Sequence, residues 1–264
     1  MVLQNRTNER ARFRLILVLS IVLAGLCVVG LSIGAAPLSA QEVLTGLFDR
    51  DSQSALIVRD LRLPRLTLAL ACGAGLGLCG AASQALTRNP LADPALFGAP
   101  QAAAFGAVFM LSGTVPDVLS FYLPVAAISF SILSMALIIM FVAADKNMVS
   151  ILLVGMALGS LFGAGTSLLL SMSANPFAVT EIIFWLLGSF ADRSFIHVVL
   201  SVPFIILGCL LLFRCGPAYR ALALGEDTAR SLGYNVGLTT ATTILGIALT
   251  IGAGTAVVGA IGFV

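Results

Sequence analysis

Uncharged apolar runs near twenty residues long recur from one end of the chain to the other, and they constrain its fold more than any other feature. Crossing about 30 Å of hydrocarbon as a helix takes about 20 mostly apolar residues. Seven runs meet or approach that length: 15–36, 66–86, 95–111, 118–144, 148–172, 196–213 and 237–264. A shorter stretch, 182–190, follows the fifth and reads as partly embedded. Only 10% of the 264 residues are charged and 59% are hydrophobic, whereas a soluble domain carries about 25% charge. A water-soluble fold, a disulfide-stapled secreted domain and a disordered chain are therefore excluded. No short alternating strands appear, so a membrane barrel is excluded as well. The sequence predicts an all-α, polytopic helical membrane protein with about seven spans.

Orientation follows from the basic residues of short loops. With the N-terminus inside, the inner side holds Arg6, Arg10, Arg12, Arg14, Arg88, Lys146, Arg214, Arg220 and Arg230. The outer side then holds Arg50, Arg59, Arg62, Arg65 and Arg193. The bias and the arginine cluster before the first run both place the N-terminus in the cytoplasm. That first run is longer than the apolar core of a signal peptide and reads as a retained helix.

The chemistry-bearing residues are sparse. Asp60, Asp93, Asp117, Asp145, Glu181, Asp192, Glu226 and Asp227 all fall in loops or at span edges. A charge in a span core is costly and marks ion coupling or proton relay, so its absence argues against a proton- or sodium-driven carrier. Lys146 is the only lysine and no GxxxxGK[ST] occurs, so the chain has no phosphate-binding loop for ATP of its own. The single histidine, His197, has no GxSxG nucleophile to serve and reads as an interfacial or packed residue. Cys27, Cys72, Cys79, Cys209 and Cys215 show no CxxC or Cys/His spacing and read as packing residues, which gives no metal site. With a net charge of +2, nothing points to nucleic acid. Gly73 and Gly77 form one GxxxG, and Gly155, Gly159 and Gly163 two more, as expected for closely packed helices.

Two loops are more specific. Arg88-Asn89-Pro90-Leu91-Ala92-Asp93-Pro94 ends one helix and starts the next, because Asn-Pro leaves the α region and Asp-Pro supplies an N-cap followed by a first-turn proline. Leu224-Gly225-Glu226-Asp227-Thr228-Ala229-Arg230-Ser231-Leu232-Gly233 reads as a short amphipathic helix between two glycines, acids first and Arg230 last, in accord with the helix dipole. Glu226 and Arg230 are spaced to pair, and Ala229 and Leu232 share a face with Leu222 and Gly225. Such a helix suits docking onto a soluble partner or lying as a turn on the membrane surface.

These residues together resemble the FecCD/BtuC-type permeases, the membrane subunits of ABC importers for iron–siderophores, haem and vitamin B12. The resemblance starts at Arg62-Leu63-Pro64-Arg65 and runs through Gly80-Ala81-Ala82-Ser83-Gln84 to the Arg88–Pro94 block and Gly98. It resumes at Trp185-Leu186-Leu187-Gly188-Ser189, at the Leu224–Gly233 loop and at Gly259-Ala260-Ile261-Gly262-Phe263-Val264. It implies one transmembrane permease domain over residues 1–264 of a fold with ten helices, the last three following where this sequence stops. It also implies a second permease subunit (identical or not), two cytoplasmic ATPases that bind ATP and Mg²⁺, and a periplasmic or lipid-anchored substrate-binding protein, with no cofactor held by this chain. By the same resemblance, Leu224, Gly225, Glu226, Asp227, Ala229, Arg230, Leu232 and Gly233 form the ATPase-coupling loop. Arg62 and Arg65 meet acids on the binding protein. Arg88, Asn89, Pro90, Asp93, Lys146, Asn147 and Met148 lie by the inner turn and gate. A secondary transporter or channel acting alone, and a non-transporting fragment, are the alternatives.

Overall fold

The structure, a computed structural model, describes residues 2–34, 36–49, 52–112, 119–144, 148–173 and 176–262. Every regular element among them is helical. Among the described residues six helices are long and apolar enough to cross a membrane: Arg10–Ser32, Leu56–Thr87, Tyr122–Phe141, Val149–Met172, Phe195–Arg214 and Val236–Val258. The chain is therefore a multi-pass helical membrane protein. The third expected run, 95–111, divides into a 3-10 turn, Pro94–Phe97, and a helix of 14 residues, Ala99–Ser112. At 1.5 Å per residue that helix reaches about 21 Å, short of a full crossing. Gly98 causes the division: its φ of 70° cannot continue a right-handed helix. The shorter apolar stretch near 182–190 ends a helix at Pro176–Leu186.

The chain forms two compact units, residues 1–67 with 192–195, and residues 68–191 with 196–264. The first contains α1 (Val2–Ser32), α2 (Ala40–Phe48), α3 (Gln53–Ala55), a π-helical stretch Leu56–Arg62 and the first turn of α4 (Leu63–Thr87). The apolar window of α1 is 0% buried, so its own chain leaves this helix uncovered. α2 starts with a capping box: the Ser39 N–H donates to Glu42 Oε2 at 2.7 Å, and the Glu42 N–H donates to Ser39 Oγ at 3.3 Å. The hydrogen bonds from the Ser39 backbone and hydroxyl hold the Glu42 carboxyl below the usual carboxylate range.

The π-helical stretch supplies two arginines that close the ends of the preceding helices. Arg59 Nε donates to Gly46 O at 3.1 Å, and its Nη2 to Leu47 O, at the end of α2. Arg62 Nη1 donates to Ser32 O at 2.9 Å and to Leu31 O, and its Nη2 to Ala36 O, at the end of α1. The last carbonyls of a helix have no intrahelical donor, so each guanidinium fork meets a standing need.

In the second unit follow α5 (Ala99–Ser112), α6 (Leu119–Ala144), α7 (Met148–Met172), α8 (Pro176–Leu186), α9 (Phe195–Arg214), α10 (Gly216–Leu222), α11 (Glu226–Ser231) and α12 (Val236–Val258). The centre is α12, whose apolar window is 78% buried. Small residues admit its neighbours closely: Ser131 of α6 donates to Ala248 O at 3.1 Å, and Gly208 of α9 faces Thr250 and the Gly246 carbonyl. Phe105, Phe130 and Phe162 bind α5, α6 and α7 through ring contacts of 5.3–6.4 Å.

The 3-10 turn lies against α7 at Gly155 and Gly159. A Cβ on Gly155 would collide with the Leu96 carbonyl oxygen and stand 3.0 Å from Phe97 Cα, both backbone atoms with little freedom to move. A Cβ on Gly163 would meet nothing within 4 Å. The GxxxG spacing thus serves packing at its first two positions and not at the third.

Two predictions follow from these contacts. Gly155→Ala should destabilise the detergent-solubilised protein by about 1–3 kcal/mol, whereas Gly163→Ala should be neutral or stabilise by up to about 1 kcal/mol. Equal shifts in thermal midpoint would contradict this packing. Arg62→Ala should cost about 1.5–3 kcal/mol, since it strips charged donors from the part-buried carbonyls at and just after the end of α1. The loss should show as faster hydrogen exchange in the last turn of α1, and unchanged exchange there would refute the capping role.

Candidate functional site

Local rules fix the segment from α10 to α12 almost residue by residue. Gly225, with φ of 113°, is the N-cap of α11, a conformation that L side chains rarely adopt. Its N–H donates to Leu222 O at 2.9 Å, and its carbonyl accepts from the Ala229 N–H at 3.0 Å. The helix ends in a Schellman motif: the Tyr234 N–H donates to Ala229 O at 3.0 Å and the Gly233 N–H to Arg230 O at 2.9 Å, with Gly233 at φ 85°. Asn235 then caps α12 by accepting from the Leu238 N–H at 3.0 Å.

The segment has an anchored side and an open side. Ala229 is fully buried with Ala221 and Leu222 in the cluster that also holds Ile244 and Ile247. Leu224, Leu232 and Leu238 are 70%, 59% and 65% exposed. The face expected to join Ala229 to Leu232 is therefore divided, because Leu232 is the C-cap and turns outward. Arg230 pairs with Glu226 at 3.3 Å and with Asp227 at 3.8 Å. Exposed pairs of this kind add little stability. The open side thus offers apolar side chains between fixed charges.

The Arg88–Pro94 block is not a simple connection. Arg88 takes φ 53°, the left-handed position usual for glycine at a helix end, and the Asn89 N–H donates to Gln84 O at 3.2 Å. Asn89 Oδ1 accepts from the Leu91 N–H at 2.9 Å and fixes the turn around Pro90. Asp93 Oδ1 accepts from the Ala95 N–H at 2.6 Å and starts the 3-10 turn where the sequence predicted an α-helix. The chain then re-enters the bundle: Phe97 is fully buried, and Asp93, Pro94 and Ala95 share a cavity of about 200 Å³ with Leu76, Gln101 and the non-helical residues Ala260–Gly262. Leu76 is some eleven residues before the end of α4, which is about 16 Å along its axis. Non-helical backbone at such depth is tolerated where it lines a cavity. Lys146 and Asn147, the other expected gate residues, lie outside the described residues, and Met148 begins α7.

Arg62 and Arg65 have different surroundings. Arg62 is 7% exposed and its guanidinium is engaged by the α1 carbonyls, so it supports the local structure instead of facing outward. Arg65 is 41% exposed and lies 3.7 Å from Asp192, itself 94% exposed and held at φ 55°. The adjoining Arg193 has its pKa lowered by burial, partly countered by Asp192. Nothing in the spacing of the sequence signals the Arg65–Asp192 pair, which joins positions 127 apart. The fold alone reveals it, as it does the cavity shared by Asp93 and Ala260–Gly262. Among the described residues no group of histidine, cysteine and carboxylate side chains is arranged to hold a metal.

Comparison with known proteins places this geometry in a family. The FecCD transport family matches residues 17–264. The permease protein YvrB of Bacillus subtilis, an ABC transporter component, is 36% identical over 213 residues, or 79% of this chain and 60% of its own length. The ferric enterobactin transport system permease protein FepD of Escherichia coli is 37% identical over 244 residues, or 89% of this chain and 70% of its own length. This chain thus spans less than two thirds of YvrB and somewhat more of FepD. A solved chain of a metal-chelate type ABC transporter in an inward-facing conformation superposes with a TM-score of 0.83 and 28% identity, covering 94% of this chain and 77% of the solved one. With nearly its whole length matched, the chain belongs to the FecCD transport family.

Proposed function

We propose that this chain is the permease subunit of a binding-protein-dependent ABC importer in the bacterial cytoplasmic membrane, and that its cargo is an iron–siderophore or a related large chelate such as haem or cobalamin. A second permease subunit completes the pore. Two separate ATPases drive it by binding ATP and Mg²⁺, and a substrate-binding protein delivers the cargo. The observation that carries this reading is the docking segment: a six-residue helix held rigidly by Gly225, the Gly233 Schellman motif and buried Ala229, yet presenting Leu224, Leu232 and Leu238 around Glu226, Asp227 and Arg230. A rigid, half-apolar ridge with charges on it is what a protein partner needs to grip. Relatives that import ferric enterobactin and Fe(3+)-citrate support the class of cargo.

The remaining parts take consistent places in this reading. The docking segment and the N-terminus face the cytoplasm, and Arg65 faces the binding protein on the other side with Arg62 supporting its helix. The cavity beside Asp93, with Arg88, Asn89 and Pro90 just before it in the chain, belongs to the gated pathway. Movement between inward- and outward-open states is then a population shift driven by the ATPase. A transporter acting alone would instead move ferric citrate or ferric enterobactin in proteoliposomes without ATPase or binding protein.

The double substitution Glu226→Lys with Asp227→Lys tests the docking role. The fold should survive, because charges on an exposed helix end shift stability by only about 0.3–1 kcal/mol. Co-purification of the ATPase with the full permease should fall at least about tenfold, since a reversed charge at an interface is repulsive. Undiminished co-purification would remove this segment from the docking site.

A further inference from the structure

The docking segment is tied to α12 at two points, and the second point is a single hydroxyl. The first tie is covalent, through Asn235 into the first turn of α12. The second runs back through α10: the Tyr219 hydroxyl lies 2.7 Å from Thr243 Oγ1. Thr243 is fully buried, and its own hydroxyl donates to Thr239 O at 2.7 Å. That bond uses the one proton Thr243 has, so Tyr219 is the donor and Thr243 the acceptor. Burial pushes the Tyr219 phenol well up, against a smaller opposing pull from Thr243, so it remains a neutral donor at physiological pH.

Between Tyr219 and α11 the backbone has little slack. Ala223 donates to Tyr219 O at 3.0 Å, Leu224 to Ala221 O at 3.0 Å and Gly225 to Leu222 O at 2.9 Å. The two ties reach α12 eight residues apart, about 12 Å along its axis. A rigid body held at one point pivots, whereas one held at two points carries its partner with it. Ala221, Leu222 and Ala229 also touch the core, but apolar contact is non-directional and permits sliding. The hydrogen bond is the directional element of the joint.

We propose that Tyr219 is a positioning residue that transmits displacement of the docking segment into α12 through its hydroxyl, an inference that rests on the docking role of Glu226–Ser231. Deleting the hydroxyl leaves Thr243 bonded to Thr239 and takes a partner only from the Cys215 thiol, a weak donor, so Tyr219→Phe keeps the fold. A merely structural tyrosine would give the same fold and the same response to ATP.

The test uses the full permease assembled with its ATPase in nanodiscs, with Mg-ATP and orthovanadate as the probe. Hydrogen exchange is followed in two peptides, 226–231 and 236–244. In the unaltered complex both peptides should change their exchange on trapping. In Tyr219→Phe the change in 226–231 should persist while that in 236–244 falls at least about fivefold, the scale of a lost allosteric coupling. Thr243→Val should reproduce that loss from the other side of the bond, and Thr243→Ser, which keeps the hydroxyl, should restore the response. A full response of 236–244 in Tyr219→Phe would overturn the proposal while leaving docking intact. Silence of 226–231 in the unaltered complex would overturn the docking reading and this inference with it.

Discussion

The last carbonyls of every helix have no donor within the helix, so each helix end must find one elsewhere. Much of this structure is an answer to that constraint. At the end of α1 the answer is a side chain: Arg62 reaches back across some thirty residues to the carbonyls of Leu31, Ser32 and Ala36. At the end of α4 it is backbone geometry, with Arg88 in the left-handed region and Asn89 bonded to Gln84. At the end of α12 it is backbone from two places: Gly259 takes φ 81° and its N–H donates to Thr255 O, while the Ser189 N–H donates to Val258 O at 2.7 Å. Each solution fixes a chain direction, and those directions decide where non-helical backbone can go.

The non-helical backbone goes to the cavity between Asp93–Ala95 and Ala260–Gly262, where it borders open space instead of lipid. Interrupted helices around a cavity are the form that transport sites take in other helical carriers. The opposite choice is made at the docking segment. There the short helix α11 is exposed but over-determined, with caps at both ends and Ala229 buried beneath it. Its rigidity comes from local hydrogen bonds, and its charges, paired with one another, stay on the surface.

The sequence reveals most of this architecture because the membrane imposes length. Six of the expected apolar runs form helices long and apolar enough to span, among the described residues, and the run at 95–111 falls short because Gly98 and the 3-10 turn take its first residues. The docking helix is legible from two glycines, two acids and an arginine, since caps act within a few residues. The block at Arg88–Pro94 is legible as a turn, but its depth is not: depth depends on Gly155, whose lack of a side chain admits Leu96 and Phe97, and on Gly159, which lies against Gly98. Arg62 and Arg65 look equivalent in sequence, three residues apart and flanking Pro64. Only the fold separates them, by placing the α1 carbonyls at one and Asp192 at the other. The Tyr219–Thr243 bond is equally invisible, because neither residue type is unusual where it stands.

Everything in the functional reading turns on what touches the open side of the docking segment. The most direct measurement places a photo-crosslinking amino acid at position 232, the exposed Leu232 side chain, in cells that produce the whole transporter. The account predicts a covalent adduct with the ATPase subunit. An adduct with the substrate-binding protein, or with lipid alone, would contradict it.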